Sequence, residues 1–585
     1  MFKPQSQIRA ELLRSHARVF LLFSNIAFAA RDGICPPLGP VLPAPITPSS
    51  HDSVQAAIKA ATDKFHNVTA AFNTTGVSVG VQSIHETSPM LELHYTPPIR
   101  DNTSTTNVGP ETIYKIGSIS KIFAVLSVLT QGTIKLDDQI TKYVPELLQL
   151  KNEAVPVAND ITAVNWDQVT VGSLASHMSG IGADLVNDLG SFPADLTQLG
   201  LPKLTNSSKT GCAGVFGLPA CTRSEFFRDF GKRHPVYAPF TNPVYSNVAS
   251  AILAYAVESA TNTSYDAYVQ KTIFEPLGLT NTSIFTSPKE RSWGFIPQGD
   301  IWFGNTLGYE DIGGGMYSNT KDMLSFGTGI LQNRIYDALS TRKWMKPETS
   351  TSSPGLQLGG PWEILRSDTV TKDGRLIEYY TKSGNLGSYN NILALIPDYG
   401  LVITILSGGG ESSADMIDYT LTDIVTALLP AIEDASKTQA DTNFGGTYSD
   451  ASTNSSLTLS LDDGPGFSIS NWTVRGVDII ANYASFGALS SSPKDLPVRA
   501  RLYPTNLSAG CQMAWRAYFD LGTPEQLAQG DAMRFWPKGT CHTWASMDRL
   551  VYGFKSIDEF IFTASKGKAS NLSLPAFDVQ LQREV

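Results

Sequence analysis

Residues 76–84 alternate: Gly76-Val77-Ser78-Val79-Gly80-Val81-Gln82-Ser83-Ile84 puts an apolar side chain at every second position, the period of a β-strand. Leu91-Glu92-Leu93-His94-Tyr95 repeats that period, so the two segments predict a hairpin. Before them, residues 52–65 carry the spacing of a helix. After them, Ile122, Phe123, Val125, Leu126, Val128 and Leu129 are apolar nearly all round, which suits a helix buried between two layers. Residues 248–258 read as a further helix. Two late strands are predicted at 390–396 and 401–407, turning at Pro397-Asp398-Tyr399-Gly400. Early strands, a helical middle and late strands imply an α+β domain whose single antiparallel sheet, flanked by helices, is assembled from both ends of the domain.

A helix over residues 412–429 is expected to close this domain, followed by a polar connector at 433–443. From residue 444 the runs become short: 456–461, 466–470, 498–503 and 559–563 have strand length and are separated by turns. That pattern predicts an all-β sandwich or small barrel of roughly 140 residues, over 444–585. No internal repeat is visible. The long, polar, Gly- and Pro-interrupted stretch at 180–222 is read as a loop bordering a cleft and setting its specificity.

Length agrees with this division, since 585 residues exceed what one hydrophobic core supports. With 42% hydrophobic and 17% charged residues the chain is of ordinary globular composition. A net charge of −10 argues against nucleic acid, which needs a basic face to displace counterions from phosphate. Residues 1–29 have the form of a signal peptide: basic residues, then a short apolar core and a small-x-small site at Ala27-Phe28-Ala29. A proline-rich arm is expected at 30–59, carrying Pro36, Pro37, Pro40, Pro43, Pro45 and Pro48. No later segment is long enough to cross a membrane, so no stable anchor is expected.

Asn-x-Ser/Thr acceptors at Asn67, Asn73, Asn102, Asn206, Asn262, Asn281, Asn454, Asn471, Asn506 and Asn571 favour a secreted, N-glycosylated eukaryotic protein. Five cysteines fit an oxidising compartment. Cys212 with Cys221 and Cys511 with Cys541 are the expected pairs, leaving Cys35. Their spacing matches neither zinc ligation nor Cys-x-x-Cys redox chemistry, and no His-Glu-x-x-His is present, so neither a metal nor a cofactor is expected.

The chemistry enters at Ser118-Ile119-Ser120-Lys121, where the apolar helix begins. Residues three apart share a helix face, so the Lys121 amine is placed to take the Ser118 proton. Alone, that pair is as readily a helix cap. Two further motifs follow in order, Tyr245-Ser246-Asn247 and Lys382-Ser383-Gly384. His177 and Gly313-Gly314-Gly315 are read as structural, the first because it has no identified partner, the second because it lacks the Gly-Lys-Ser/Thr of a phosphate loop.

With these three motifs the chain resembles the serine β-lactamase and D-alanyl peptidase superfamily, within it the class C β-lactamase and esterase branch, which has Tyr in the second motif. Leu174-Ala175-Ser176-His177-Met178-Ser179-Gly180, Pro276-Leu277-Gly278-Leu279 and Gly313-Gly314-Gly315-Met316-Tyr317-Ser318 are similar to other landmarks of that branch. The resemblance implies a three-layer α/β/α serine hydrolase domain over 60–432. The C-terminal region resembles the lipocalin-like domain that follows the catalytic domain in some fungal β-lactamase-like proteins. It further implies Ser118 as nucleophile, with Lys121 and Tyr245 taking its proton. Asn247 would hold the lysine and a substrate amide, and Lys382 a substrate carboxylate or the proton relay. The backbone N–H groups of Ser118 and Asn385 would form the oxyanion hole, beside Ser383 and Gly384. Ser383 departs from the threonine of many relatives but keeps the hydroxyl.

The expected activity is hydrolysis of an ester or amide, a β-lactam or D-amino-acid peptide among them, by a monomer acting on a small-molecule or peptide substrate. Acyl transfer in secondary metabolism and a catalytically inert binding protein are the alternatives. The Gly-x-Ser-x-Gly elbow of an α/β-hydrolase is absent around Ser118 and Ser179.

Overall fold

The computed structural model describes residues 35–153, 160–185, 188–205, 209–215, 217–487 and 497–584; the expected signal peptide and the Asn206 acceptor lie outside them. The described residues form two compact units, one within 44–370 with 376–436, the other within 437–584 with 371–375 and 35–43.

In the first unit, α1 (Asp52–Thr69) leads into β1 (Gly76–Ser83) and β2 (Leu91–Tyr95). The helices α2 (Ser120–Thr130), α3 (Val248–Thr261) and α4 (Thr320–Leu331) occupy the middle of the chain. The strands β3 (Thr349–Ser350), β4 (Leu356–Leu358), β5 (Glu363–Ser367), β6 (Ile377–Leu386), β7 (Tyr389–Ile396) and β8 (Leu401–Gly408) complete an eight-stranded sheet of order β2-β1-β8-β7-β6-β5-β4-β3. The ends of the domain do meet: β1 runs antiparallel to β8, with Gly76 opposite Gly408 and Ser83 opposite Leu401.

Every residue of β1 is buried, so its alternation does not separate core from solvent. It separates two cores. Val77, Val79 and Val81 pack with Val54 and Phe65 of α1 and with Ile417, Leu421 and Ile424 of α5 (Ala414–Phe444). Ser78, pointing the other way, meets the Tyr114 hydroxyl at 3.0 Å. On that side lie α2, α3 and α4, where Phe123 stacks on Phe326 at 4.1 Å and Leu393, Leu395, Val402 and Leu406 close the layer from the sheet. The fold is therefore α+β with three layers, helices on both faces of one antiparallel sheet.

Two boundaries differ from those expected. α5 does not end near residue 429: it runs unbroken to Phe444, so the stretch 433–443 is helical rather than a loose connector. The arm expected at 30–59 gives way to α1 already at Asp52; ahead of it the chain is irregular up to a short turn at Pro48–Ser50, and Val41 shares a small core with Tyr503 and Tyr518 while Leu42 joins the core of the all-β unit.

That unit is an eight-stranded antiparallel barrel of β9 (Gly446–Asp450), β10 (Ser455–Ser460), β11 (Phe467–Val474), β12 (Val498–Ala509), β13 (Gln512–Leu521), β14 (Glu559–Ser565), β15 (Lys568–Leu574) and β16 (Val579–Arg583). Its order is β10-β9-β16-β15-β14-β13-β12-β11, closed by pairing of β11 with β10. Trp472, Trp515, Phe560 and Phe562 fill the interior, together with inward leucines such as Leu459 and Leu502. Small barrels of this strand number are filled by side chains in just this way.

The disulfides correct one expectation. Cys212 pairs with Cys221 as anticipated, but Cys541 pairs with Cys35, not Cys511. Cys511 is exposed and free, in the turn between β12 and β13, whereas the N-terminal arm brings Cys35 to a Cα distance of 5.3 Å from Cys541. No helix among the described residues is long and apolar enough to cross a membrane.

Candidate active site

Ser118 lies in a single 3₁₀ turn, Gly117–Ile119, that runs directly into α2. The turn and first helical residues keep Ser118 and Lys121 on one face, and Lys121 Nζ donates to Ser118 Oγ at 2.9 Å. α2 is buried along its whole apolar length, from Ser120 to Val128, so the pair stands on a rigid mount. Lys121 Nζ also donates to Asn247 Oδ1 at 2.7 Å and to the carbonyl of Gly313. The Gly313-Gly314-Gly315 segment is thus part of the site as a backbone acceptor.

Tyr245 and Asn247 precede α3, anchored by Ser246, whose hydroxyl donates to Gly182 O at 2.9 Å and accepts from the Ala249 N–H at 3.2 Å. The amide nitrogen of Asn247 donates to Asp184 Oδ2 at 3.0 Å, so this one side chain ties Lys121 to the wall of the cleft. Tyr245 is 43% exposed along the cleft, yet its phenol oxygen is turned inward to Ser118 and Lys121. The ammonium groups of Lys121 and Lys382 lie 4.8 and 5.2 Å from its ring centroid.

β6 brings the third motif alongside. Its Gly384 has no room for a side chain: a β-carbon there would lie 2.0 Å from the Ile116 carbonyl oxygen and 3.0 Å from the Ser118 nitrogen. Gly117, at φ +55°, faces it, and a β-carbon on Gly117 would lie 2.4 Å from the Asn385 nitrogen. Two glycines therefore let the strand and the serine turn touch backbone to backbone. Asn391 fastens them, donating to Lys115 O at 3.0 Å and to Gly384 O at 3.1 Å.

Lys382 is fully buried and its amine bonds Glu363 Oε1 at 2.5 Å, while Glu363 also accepts from the Ser383 N–H at 2.7 Å and the Ser383 hydroxyl at 3.1 Å. Nothing local in the sequence marks Glu363, which sits on the neighbouring strand β5. Asn391 does carry a signal, a polar side chain in the middle of an apolar strand, where a buried amide must find partners.

The charges set the protonation tendencies. For Lys121 burial is the largest influence and holds the amine below the ordinary lysine value; Lys382 pushes the same way and Tyr245 opposes. For Lys382 burial pulls down too, but Glu363 and Tyr245 outweigh it and raise the net value. For Tyr245 burial raises the phenol, yet Lys121, Lys382 and hydrogen bonds to Ser118 and Lys121 bring it below its ordinary value. The site thus gathers a hydroxyl, two amines and an acidified phenol.

These groups open onto a cavity of about 520 Å³ lined by Ser118, Tyr245, Asn247, Ser383 and Asn385, with Asp184, Trp302, Leu307 and Glu310 on the other walls. Burial and the neighbouring Asp184 push the Glu310 carboxyl up to about 8. Among the described residues no group of three or more His, Cys, Asp or Glu is placed to hold a metal ion.

Residues 57–426, which contain every group just described, match the family model described as Beta-lactamase. The chain belongs to the β-lactamase family. Residues 436–585 match a second model, described as Beta-lactamase-like-like, C-terminal domain. A β-lactamase-like protein of Arthroderma benhamiae is 29% identical, over 92% of this chain and 94% of its own length. A putative D-alanyl-D-alanine carboxypeptidase of Escherichia coli is 25% identical, over 52% of this chain and 70% of its own. Among solved structures, a D-stereospecific amidohydrolase from Streptomyces sp. superposes with a TM-score of 0.47 at 17% identity, over 63% of this chain and 98% of that one. Membership places the first unit among serine β-lactamase-like hydrolases.

Proposed function

We propose that this chain is a secreted serine hydrolase that cleaves an ester or amide through an acyl-enzyme on Ser118. The observation that carries the reading is the Lys121 Nζ to Ser118 Oγ hydrogen bond at 2.9 Å, made at the wall of an open cleft beside an acidified phenol. The proton leaves Ser118 for Lys121 or Tyr245 as Oγ attacks the acyl carbon, and returns to the leaving group. Charge on the carbonyl oxygen is met by the N–H groups of Ser118 and Asn385, at the point where Gly117 and Gly384 bring their backbones together. Asn247 holds Lys121 in place. Of the two roles expected for Lys382, its full burial against Glu363 and Tyr245 supports the proton relay over the binding of a substrate carboxylate.

Water then releases the acyl group. β-Lactam and D-amino-acid peptide bonds are the candidate substrates, the second suggested by the name of the carboxypeptidase-like relative. Export is supported by the acceptor asparagines, by the signal-like start of the sequence and by two disulfides.

Intact-mass measurement after exposure to a fluorophosphonate or a reactive β-lactam is expected to show one adduct, mapping to Ser118. Ser118→Ala is expected to lose the adduct and all turnover of a fluorogenic ester or chromogenic cephalosporin. Full activity in that variant would show another nucleophile.

A further inference from the structure

His177 stands at a left-handed backbone angle, φ +61°, that costs an imidazole side chain stability. Its ring is buried, and Nε2 meets no protein hydrogen-bond partner. A residue that bears both costs invites a functional account.

Its contacts converge on one neighbour. The His177 carbonyl accepts from the Val244 N–H at 2.8 Å, and ring Nδ1 accepts from the Ser246 N–H at 3.2 Å. Tyr245 lies between those two residues, and its ring stacks on the imidazole at 4.6 Å between centroids, with 30° between planes. The backbone is thus held on each side of Tyr245 and the side chain along its face. An accepting Nδ1 puts the single ring proton on Nε2. A second proton, on Nδ1, would set two donors against each other.

We propose that His177 is a positioning residue for Tyr245, holding the phenol at Ser118 and Lys121 by this three-point contact, and doing so as the neutral, Nε2-protonated imidazole. The proposal rests on the reading of Tyr245 as a proton-transfer group. Burial, then the charges of Lys121 and Lys382, push His177 down to about 3, which favours the neutral ring at neutral pH. A neutral ring adds no third positive charge to the two amines that face the phenol.

The test uses the full chain and two variants. His177→Phe keeps an aromatic face and loses the acceptor; His177→Asn keeps a short acceptor, tolerates the left-handed backbone and loses the face. Tyrosinate absorbance titration, with Tyr245→Phe to assign the band, is expected to show Tyr245 ionising before the other tyrosines in the wild type. In both variants that ionisation is expected about one pH unit higher, because the phenol drifts from the amines. The kcat per fluorophosphonate-labelled site is expected to fall about 10- to 100-fold, with KM little changed.

An unmoved Tyr245 band, or activity that falls only in step with Tm, overturns the proposal. Two variants that both fail to fold overturn it as well, since the ring then serves the core. Full activity of Tyr245→Phe is a separate failure, that of the phenol's assigned role, and is told apart because the absorbance shift needs no catalysis.

Discussion

At the scale of single residues, a contact is legible in the sequence where it is local. Ser118 and Lys121 are three positions apart on one helical face, so sequence spacing is enough to put amine beside hydroxyl. Glu363, Asp184 and Glu310 were not readable, because each reaches the site from a segment that carries no motif of its own. Glu310 yields a pH prediction. Burial and Asp184 raise it to about 8 in the folded chain, against an ordinary 4.5, so it folds neutral. The stability of that neutral form is whole below about pH 4.5 and is lost as pH rises towards 8. Glu310→Gln escapes the loss. Its unfolding free energy relative to wild type, read from denaturant titrations, is expected to climb between pH 5 and 8.5, the difference reaching on the order of a few kcal/mol. A difference that stays flat across that range would mean the carboxyl is not proton-linked to folding.

At the scale of elements, strands and helices were legible from period alone, and their meaning was not. The alternation in β1 marks a strand without saying what covers it; both faces are dry, because helices cover each side. The seam of β6 against the Ser118 turn is set by what the side chains leave out. Gly384→Ala would place a β-carbon 2.0 Å from the Ile116 carbonyl oxygen and push the strand off the turn. That separation disrupts the N–H groups of Ser118 and Asn385, proposed above as the oxyanion donors, and the loss of one such donor typically costs about 100- to 1,000-fold in rate. The expected outcome is a fall in kcat of that order with fluorophosphonate labelling slowed alike. A variant as fast as wild type would remove the oxyanion role from this strand. The missed strands β9, β13, β15 and β16 are short or begin in polar residues, and only the closed ladder gives their backbone groups partners.

At the scale of the molecule, the pairing of Cys35 with Cys541 joins parts of the chain 506 residues apart and ties the N-terminal arm to the barrel unit. Cys541→Ser, made with Cys35→Ser, is expected to lower the barrel's stability by about 2 to 5 kcal/mol. Tryptophan fluorescence reports this, since Trp472 and Trp515 lie in the barrel core. Non-reducing peptide maps are expected to show Cys511 as the free thiol; a Cys511–Cys541 peptide would overturn the pairing of Cys35 with Cys541. By itself the sequence determined the α+β unit, the all-β unit after it and the order of the three motifs, because hydrophobic period and short spacings are properties of neighbouring residues. Only the tertiary structure decided which cysteine meets Cys541, that Glu363 holds Lys382 and that His177 grips Tyr245. Those are contacts between segments far apart in the chain, and packing alone selects among them.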